Sequence, residues 1–165
     1  MGHSASTPGG PISGNPGGLV RRFDARRQRS NDERRGGTTE REEVVRDFMA
    51  ASMAAWPTGD AATLSRFFGE DAEYCNGPLE PVHGREAIVV DLARMMNLGG
   101  EVDADIRHLL SDGVVVMTER VDYVRLRGKT AGLRIAGVFE VHDGAITAWR
   151  DYFDPHEFVA QLTTD

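Results

Sequence analysis

Five polar side chains in this sequence are spaced so that they could move protons to and from a bound water. Tyr74 and Asn76 stand two residues apart, as do Arg120 and Asp122. Asp151 lies midway between two aromatics in Trp149-Arg150-Asp151-Tyr152-Phe153-Asp154. On a β-strand, residues i and i+2 share a face, so each set presents its chemistry on one side of its strand. If the three faces converge under a roof of helices, the cavity holds two carboxylates, a guanidinium, a phenol and an amide. One ionised Asp can then take a proton from water held by Tyr74 and Asn76, while the second, protonated, donates to an oxygen leaving group. Arg120 between the carboxyls leaves the cluster neutral overall, the cheapest state in an apolar pocket.

Each set also has a plainer reading. Asp151 could be a strand end reaching water, because a carboxylate between Trp and Phe is costly to bury unpaired. Arg120 and Asp122 could be a structural ion pair in a Val- and Thr-lined strand. Other chemistries find little support. The sequence has no Gly-x-Ser-x-Gly elbow, phosphate loop or His-Glu-x-x-His. His3, His83, His108, His142 and His156 lack ligand spacing, so no metal is expected. Cys75 alternates with Tyr74 and Asn76 and reads as a packed thiol. The single lysine, Lys129, falls in a turn, which argues against Schiff-base catalysis.

The elements that must position these residues are legible in outline. Thr39-Glu40-Arg41-Glu42 has the capping-box pattern, and Val45, Phe48, Met49, Ser52, Met53 and Trp56 follow at helical spacing. Pro57-Thr58-Gly59 stops that helix. Asp60 is expected to cap a shorter one with Leu64, Phe67 and Phe68 on its apolar side. A short strand over 72–76 precedes a third helix carrying Ile88, Leu92, Met95 and Met96. Strands are then expected over 102–111, 114–126, 131–142 and 145–153. Asp143-Gly144 between the last two is the clearest hairpin signal in the chain. Pro155 opens a terminal helix with Phe158, Val159 and Leu162. Helices followed by an antiparallel meander imply an α+β domain with helices on one face of a sheet.

Length and composition bound the rest. At 165 residues, with 40% hydrophobic and 27% charged side chains, the chain reads as one soluble globular domain. One cysteine precludes an internal disulfide and suits a reducing compartment. Without an apolar run of 18 residues or a signal peptide, a cytoplasmic protein is expected, with no membrane partner. The net charge of −7 divides unevenly, +4 on residues 1–38 (seven Arg, three acids) and −11 on residues 39–165. An acidic domain is a poor nucleic-acid binder, so no nucleic-acid partner is expected. Residues 1–38 hold eight Gly and three Pro without apolar periodicity, and they read as a disordered tail before a domain at 39–165.

Tyr74-Cys75-Asn76, Thr118-Glu119-Arg120-Val121-Asp122, Gly137-Val138-Phe139-Glu140-Val141 and the Trp149–Asp154 stretch together resemble the limonene-1,2-epoxide hydrolase family. The resemblance covers about residues 40–160. It implies the cone-shaped α+β fold shared with nuclear transport factor 2, ketosteroid isomerase and SnoaL-like polyketide cyclases, a curved mixed or antiparallel sheet with helices on its concave face. It further implies one-step, cofactor-free hydrolysis of an epoxide to a vicinal diol in a homodimer. By that resemblance Asp151 is the base on water, Tyr74 and Asn76 hold the water, Asp122 is the acid and Arg120 bridges the aspartates. Phe48, Met53, Leu92, Met96, Leu133, Ile135, Phe139 and Trp149 are candidate pocket walls and favour a small apolar epoxide, terpene-like or cyclic. A same-fold isomerase or cyclase and a non-catalytic binding module remain the alternatives.

Overall fold

The computed structural model describes residues 39–126 and 128–163. The expected tail over residues 1–38 lies outside the described residues, as does Arg127 of the turn before Lys129. The elements follow in the order α1 (Glu40–Ala55), β1 (Phe68–Asn76), β2 (Val82–His83), α2 (Arg85–Met96), β3 (Glu101–Ser111), β4 (Val115–Leu126), β5 (Lys129–His142), β6 (Ala145–Tyr152) and α3 (Pro155–Thr163).

Helix α1 starts where its cap predicts. Thr39 is extended, and its hydroxyl accepts from the Glu42 N–H at 3.3 Å. Glu40, Glu42 and Glu43 place negative charge at the positive end of the helix. Val45, Phe48 and Met49 are its buried stripe. The helix runs into a 3₁₀ turn at Trp56–Thr58 and ends at Gly59, whose φ of 70° is left-handed.

The next segment departs from expectation. Ala61–Phe67 is a 3₁₀ helix, and the Asp60 side chain makes no capping bond. Instead the Asp60 carbonyl accepts from the Thr63 hydroxyl at 2.8 Å. Phe68 is the first residue of β1 rather than helical, so that strand is nine residues long and not the short piece expected over 72–76. The two-residue strand β2 was not foreseen; it pairs antiparallel with β1.

The six strands form one sheet in the order β2-β1-β6-β5-β4-β3. Strands β3 to β6 form the antiparallel meander, with Asp143 (φ 49°) and Gly144 (φ 74°) making the primed turn between β5 and β6. Strand β1 then adds to β6 in parallel. Register shifts interrupt the β1–β6, β3–β4 and β5–β6 ladders, and such irregularities bend a strand and increase its twist.

One face of this sheet is covered and the other is largely open. Along β5 the odd positions Ala131, Leu133, Ile135, Gly137, Phe139 and Val141 are all buried, while none of the even positions is. Phe48 of α1 packs edge-on against Phe67, Phe68, Phe139 and Trp149, with centroids 5.0–6.2 Å apart. Helix α2 adds Ile88, Leu92 and Met96 over β1. Helix α3 packs on β5, where Gln161 accepts from the Gly132 N–H and donates to its carbonyl. No helix among the described residues is long and apolar enough to cross a membrane.

Candidate active site

Strand register brings the predicted polar sets onto one face. Asn76 pairs with Asp151, Asp151 with Gly137, and Gly137 with Thr118, a row across β1, β6, β5 and β4. The next row is Tyr74, Trp149, Phe139 and Val116. On the other side of the first row, Arg120 pairs with Ile135 and Asp122 with Leu133. The i, i+2 spacing on three strands becomes a patch of adjacent side chains because the parallel β1–β6 ladder aligns the two strands in register.

Arg120 holds the patch together. Its Nη1 and Nη2 donate to Asp151 Oδ1 and Oδ2 at 3.1 and 2.5 Å, and its Nε donates to Asp122 Oδ1 at 3.0 Å. The guanidinium thus binds both carboxyls, one of them in the two-pronged geometry that arginine suits best. The side chains of Arg120, Asp151 and Asp122 are 1%, 5% and 16% exposed, so this pair-and-a-half is withdrawn from water. Burial disfavours the charge on Arg120, but Asp151 and Asp122 outweigh it and raise the guanidinium above its ordinary value.

The carboxyl of Asp122 is raised from its ordinary value, first by burial, with Arg120 opposing and Asp151 adding to the rise. This carboxyl, which receives one Arg120 bond, therefore holds a proton more readily than a free aspartate does. The Tyr74 phenol is pushed well above its ordinary value, again by burial first and then by Asp151. It stays a neutral hydroxyl, able to orient a water but not to act as a base.

Sequence reasoning missed three partners. Trp149 is more than an apolar wall: its Nε1 donates to Asp151 Oδ1 at 2.9 Å, while its ring stacks on Tyr74 at 4.2 Å and 26°. Thr118, 3% exposed, accepts from Arg120 Nη1 at 3.3 Å. It is two residues before Arg120 on the same strand face, so the alternation that exposed the Arg–Asp pair also pointed to it. Met95 Sδ accepts from Asn76 Nδ2 at 3.2 Å. A thioether has no proton to donate, so it is the amide nitrogen of Asn76 that faces Met95. No spacing rule links residues 76 and 95.

A cavity of about 260 Å³ opens over the patch, walled by α1, α2 and the covered face of the sheet. Tyr74, Asn76, Arg120, Asp122 and Asp151 all line it. Of the apolar residues expected there, Met53, Leu92, Leu133, Ile135 and Trp149 also line it. Phe48, Phe139 and Met96 do not: at 0%, 0% and 3% exposure they belong to the core behind Trp149. Helical and strand spacing identify an inward face but not which inward layer meets the void. Met49, Met95 and Phe153 take wall positions instead, with Phe158 of α3.

Comparisons with known proteins identify the family. The family model described as the limonene-1,2-epoxide hydrolase catalytic domain matches residues 39–164. The epoxide hydrolase EphG of Mycobacterium tuberculosis is 33% identical over 112 residues, covering 68% of this chain and 74% of that protein. The structure of an LEH-like epoxide hydrolase from M. tuberculosis is 32% identical, with a TM-score of 0.63 over 76% of this chain and 90% of the other. An NTF2-like protein from Burkholderia pseudomallei shares the fold alone, at 16% identity and a TM-score of 0.64, covering 77% of this chain and all of its own. A match spanning the sheet, its helices and every residue of the Asp–Arg–Asp patch places the chain in the limonene-1,2-epoxide hydrolase family.

Proposed function

We propose that this protein hydrolyses a small apolar epoxide, terpene-like or cyclic, to a vicinal diol by direct addition of water. The observation that carries the reading is Arg120 bonded at once to Asp151 and Asp122 on the wall of an apolar cavity. Asp151 accepts from three N–H donors, two on Arg120 and one on Trp149, and acts as the base. It takes a proton from a water whose other contacts are the Tyr74 hydroxyl and the Asn76 carbonyl. The water oxygen attacks one epoxide carbon, the C–O bond on that carbon breaks, and Asp122 delivers its proton to the leaving oxygen. Each transfer contributes about 10²–10⁴ in rate. The step leaves Asp151 protonated and Asp122 ionised, and water admitted as the diol departs returns the proton to Asp122. With Arg120 positive and one proton shared, the cluster stays neutral throughout. Support also comes from relatives that are themselves described as epoxide hydrolases.

A same-fold isomerase or cyclase would use Tyr74 and a neutral Asp to polarise a carbonyl. Such an oxyanion site has no use for a guanidinium clamped between two carboxyls, and Arg120 therefore favours hydrolysis. A non-catalytic binding module leaves the same cluster without a task. We further propose that residues 39–165 are the catalytic unit with residues 1–38 an appended tail, and that the protein is cytoplasmic and works as a homodimer.

The test is a single turnover on a panel of cyclic and terpene epoxides in ¹⁸O-labelled water. Label in the diol on the first turnover is the expected result. Label appearing only on later turnovers would mean a covalent ester and would overturn the mechanism. No diol from any substrate would shift the assignment to isomerisation or binding.

A further inference from the structure

Gly137 sits in the middle of β5, between Thr118 of β4 and Asp151 of β6. Glycine weakens a strand interior, having no side chain to pack and more backbone freedom to lose. Here it is not required by the backbone, because the left-handed glycines are Gly59, Gly77, Gly84, Gly99, Gly100, Gly113, Gly128 and Gly144, and Gly137 is not among them. What it supplies is space. A methyl carbon built at Gly137 would stand 2.5 Å from Arg120 Nη1, 2.6 Å from Thr118 Oγ1 and 3.0 Å from Asp151 Oδ1. Non-bonded heavy atoms settle near 3.5–4.0 Å, so all three groups would have to move.

The direction of that movement matters. Arg120 pairs in register with Ile135, whereas Asp151 pairs with Gly137. To reach Asp151 from β4 the guanidinium must cross β5, and the gap over Gly137 is where it crosses. Any side chain there would push Nη1 away from Asp151 Oδ1, the oxygen that also accepts from Trp149. Gly132, on the same strand, offers the contrast: the nearest atoms to a methyl built there are Tyr123 and Val121 carbons at 3.5–3.6 Å, an ordinary contact.

We propose that Gly137 is a positioning residue for catalysis, its bare Cα holding open the path by which Arg120 bridges the two aspartates. This rests on the hydrolase reading for its effect on rate, but its effect on geometry can be read without substrate. The chain has two tryptophans, Trp56 and Trp149, so a ¹⁵N-labelled sample gives two indole N–H resonances. Only the Trp149 signal reports on Asp151.

The experiment compares Gly137→Ala with Gly132→Ala for thermal unfolding, indole spectra and diol formation. The expected result is a folded Gly137→Ala whose Trp149 resonance moves while that of Trp56 stays. Its kcat falls about 10²-fold, the loss typical of an ångström-scale misplacement, and KM changes only a few-fold. Gly132→Ala should leave kcat and the Trp149 signal near wild type. An unmoved Trp149 resonance, or equal kcat in the two variants, would overturn the proposal. A moved resonance in a protein whose wild type hydrolyses no epoxide would support the geometric role and sink the hydrolase reading instead. Should Gly137→Ala not fold, Gly137→Ala in a Thr118→Ala background removes the nearest oxygen. There a kcat equal to that of Thr118→Ala alone would overturn the proposal, and a further drop would support it.

Discussion

The two faces of the sheet carry the same constellation, an arginine between two carboxylates, and only one of them is withdrawn from water. On the covered face Arg120 joins Asp122 and Asp151. On the open face Arg150 pairs with Glu140 and approaches Glu73 at 3.8 Å. Their neighbours in sequence even alternate, since Arg150 and Asp151 are consecutive and point to opposite sides. The difference lies in water. Arg150, Glu73 and Glu140 are 27%, 37% and 36% exposed in their side chains, and solvent screens what passes between them. Such pairs contribute within about 1 kcal/mol. In the covered triad burial raises the Asp122 carboxyl above its ordinary value despite the Arg120 charge beside it. Residue types alone do not distinguish a stabilising ion pair from an acid–base pair; the sheet face does.

That contrast can be tested from its largest consequence down. Asp151→Asn removes the proposed acceptor for the water proton while keeping the shape. Its kcat should fall by about 10⁴, near the upper end for general-base catalysis, as measured by diol release at saturating epoxide. A loss below tenfold would place the two faces on an equal footing and undo the comparison.

Asp122→Asn should lower kcat by about 10²–10³ and change the pH profile. Asp122 donates only when protonated, and its carboxyl is raised from the ordinary value of 3.8. Wild-type kcat should therefore decline as pH rises through the folded value, and the asparagine variant should lack that alkaline limb. The sign for stability is the same. The contribution of the neutral carboxyl is complete below the unfolded value of about 3.9 and is lost as pH rises through the higher folded one. Thermal unfolding of wild type and variant across that window would show it.

Trp149→Phe keeps an aromatic ring beside Tyr74 but removes the Nε1 donor to Asp151. A hydrogen bond to a charged group is worth about 1.5–3 kcal/mol, so a kcat reduction of roughly tenfold or somewhat more is expected. An unchanged rate would reduce Trp149 to a wall. Smallest of all, Arg150→Gln and Glu140→Gln on the open face should each change kcat less than about twofold and shift the unfolding midpoint by only a few degrees.

The five polar residues were legible because strand alternation is local: two-residue spacing on 74–76, 120–122 and 149–153 sorts faces without knowledge of strand order. The same rule excluded Arg150. What alternation cannot supply is which strands are neighbours. The parallel β1–β6 ladder, which sets Asn76 beside Asp151, joins segments 75 residues apart and leaves no local mark. The misplacement of Phe48, Phe139 and Met96 has a related cause, since burial is a property of a face whereas cavity contact depends on depth. Leu64, Phe67 and Phe68 have helical spacing, so the switch to strand at Phe68 leaves no mark in the pattern. Strand β2, two residues long, has no period at all.

The position of β6 sets an order of assembly. This last strand occupies the interior of the sheet, between β5 and β1, rather than an edge. As the chain emerges from the ribosome, β1 therefore waits with its partner-facing edge bare until some 70 later residues have been made. Hairpins β3–β4, β4–β5 and β5–β6 can close locally, but the join to β1 carries the entropy of a long loop. Nascent chains stopped before β6 would expose an aromatic strand edge carrying Phe68 and Tyr74, a natural substrate for holdase chaperones. Termination before Ala145 would then yield a sticky fragment rather than a weak enzyme.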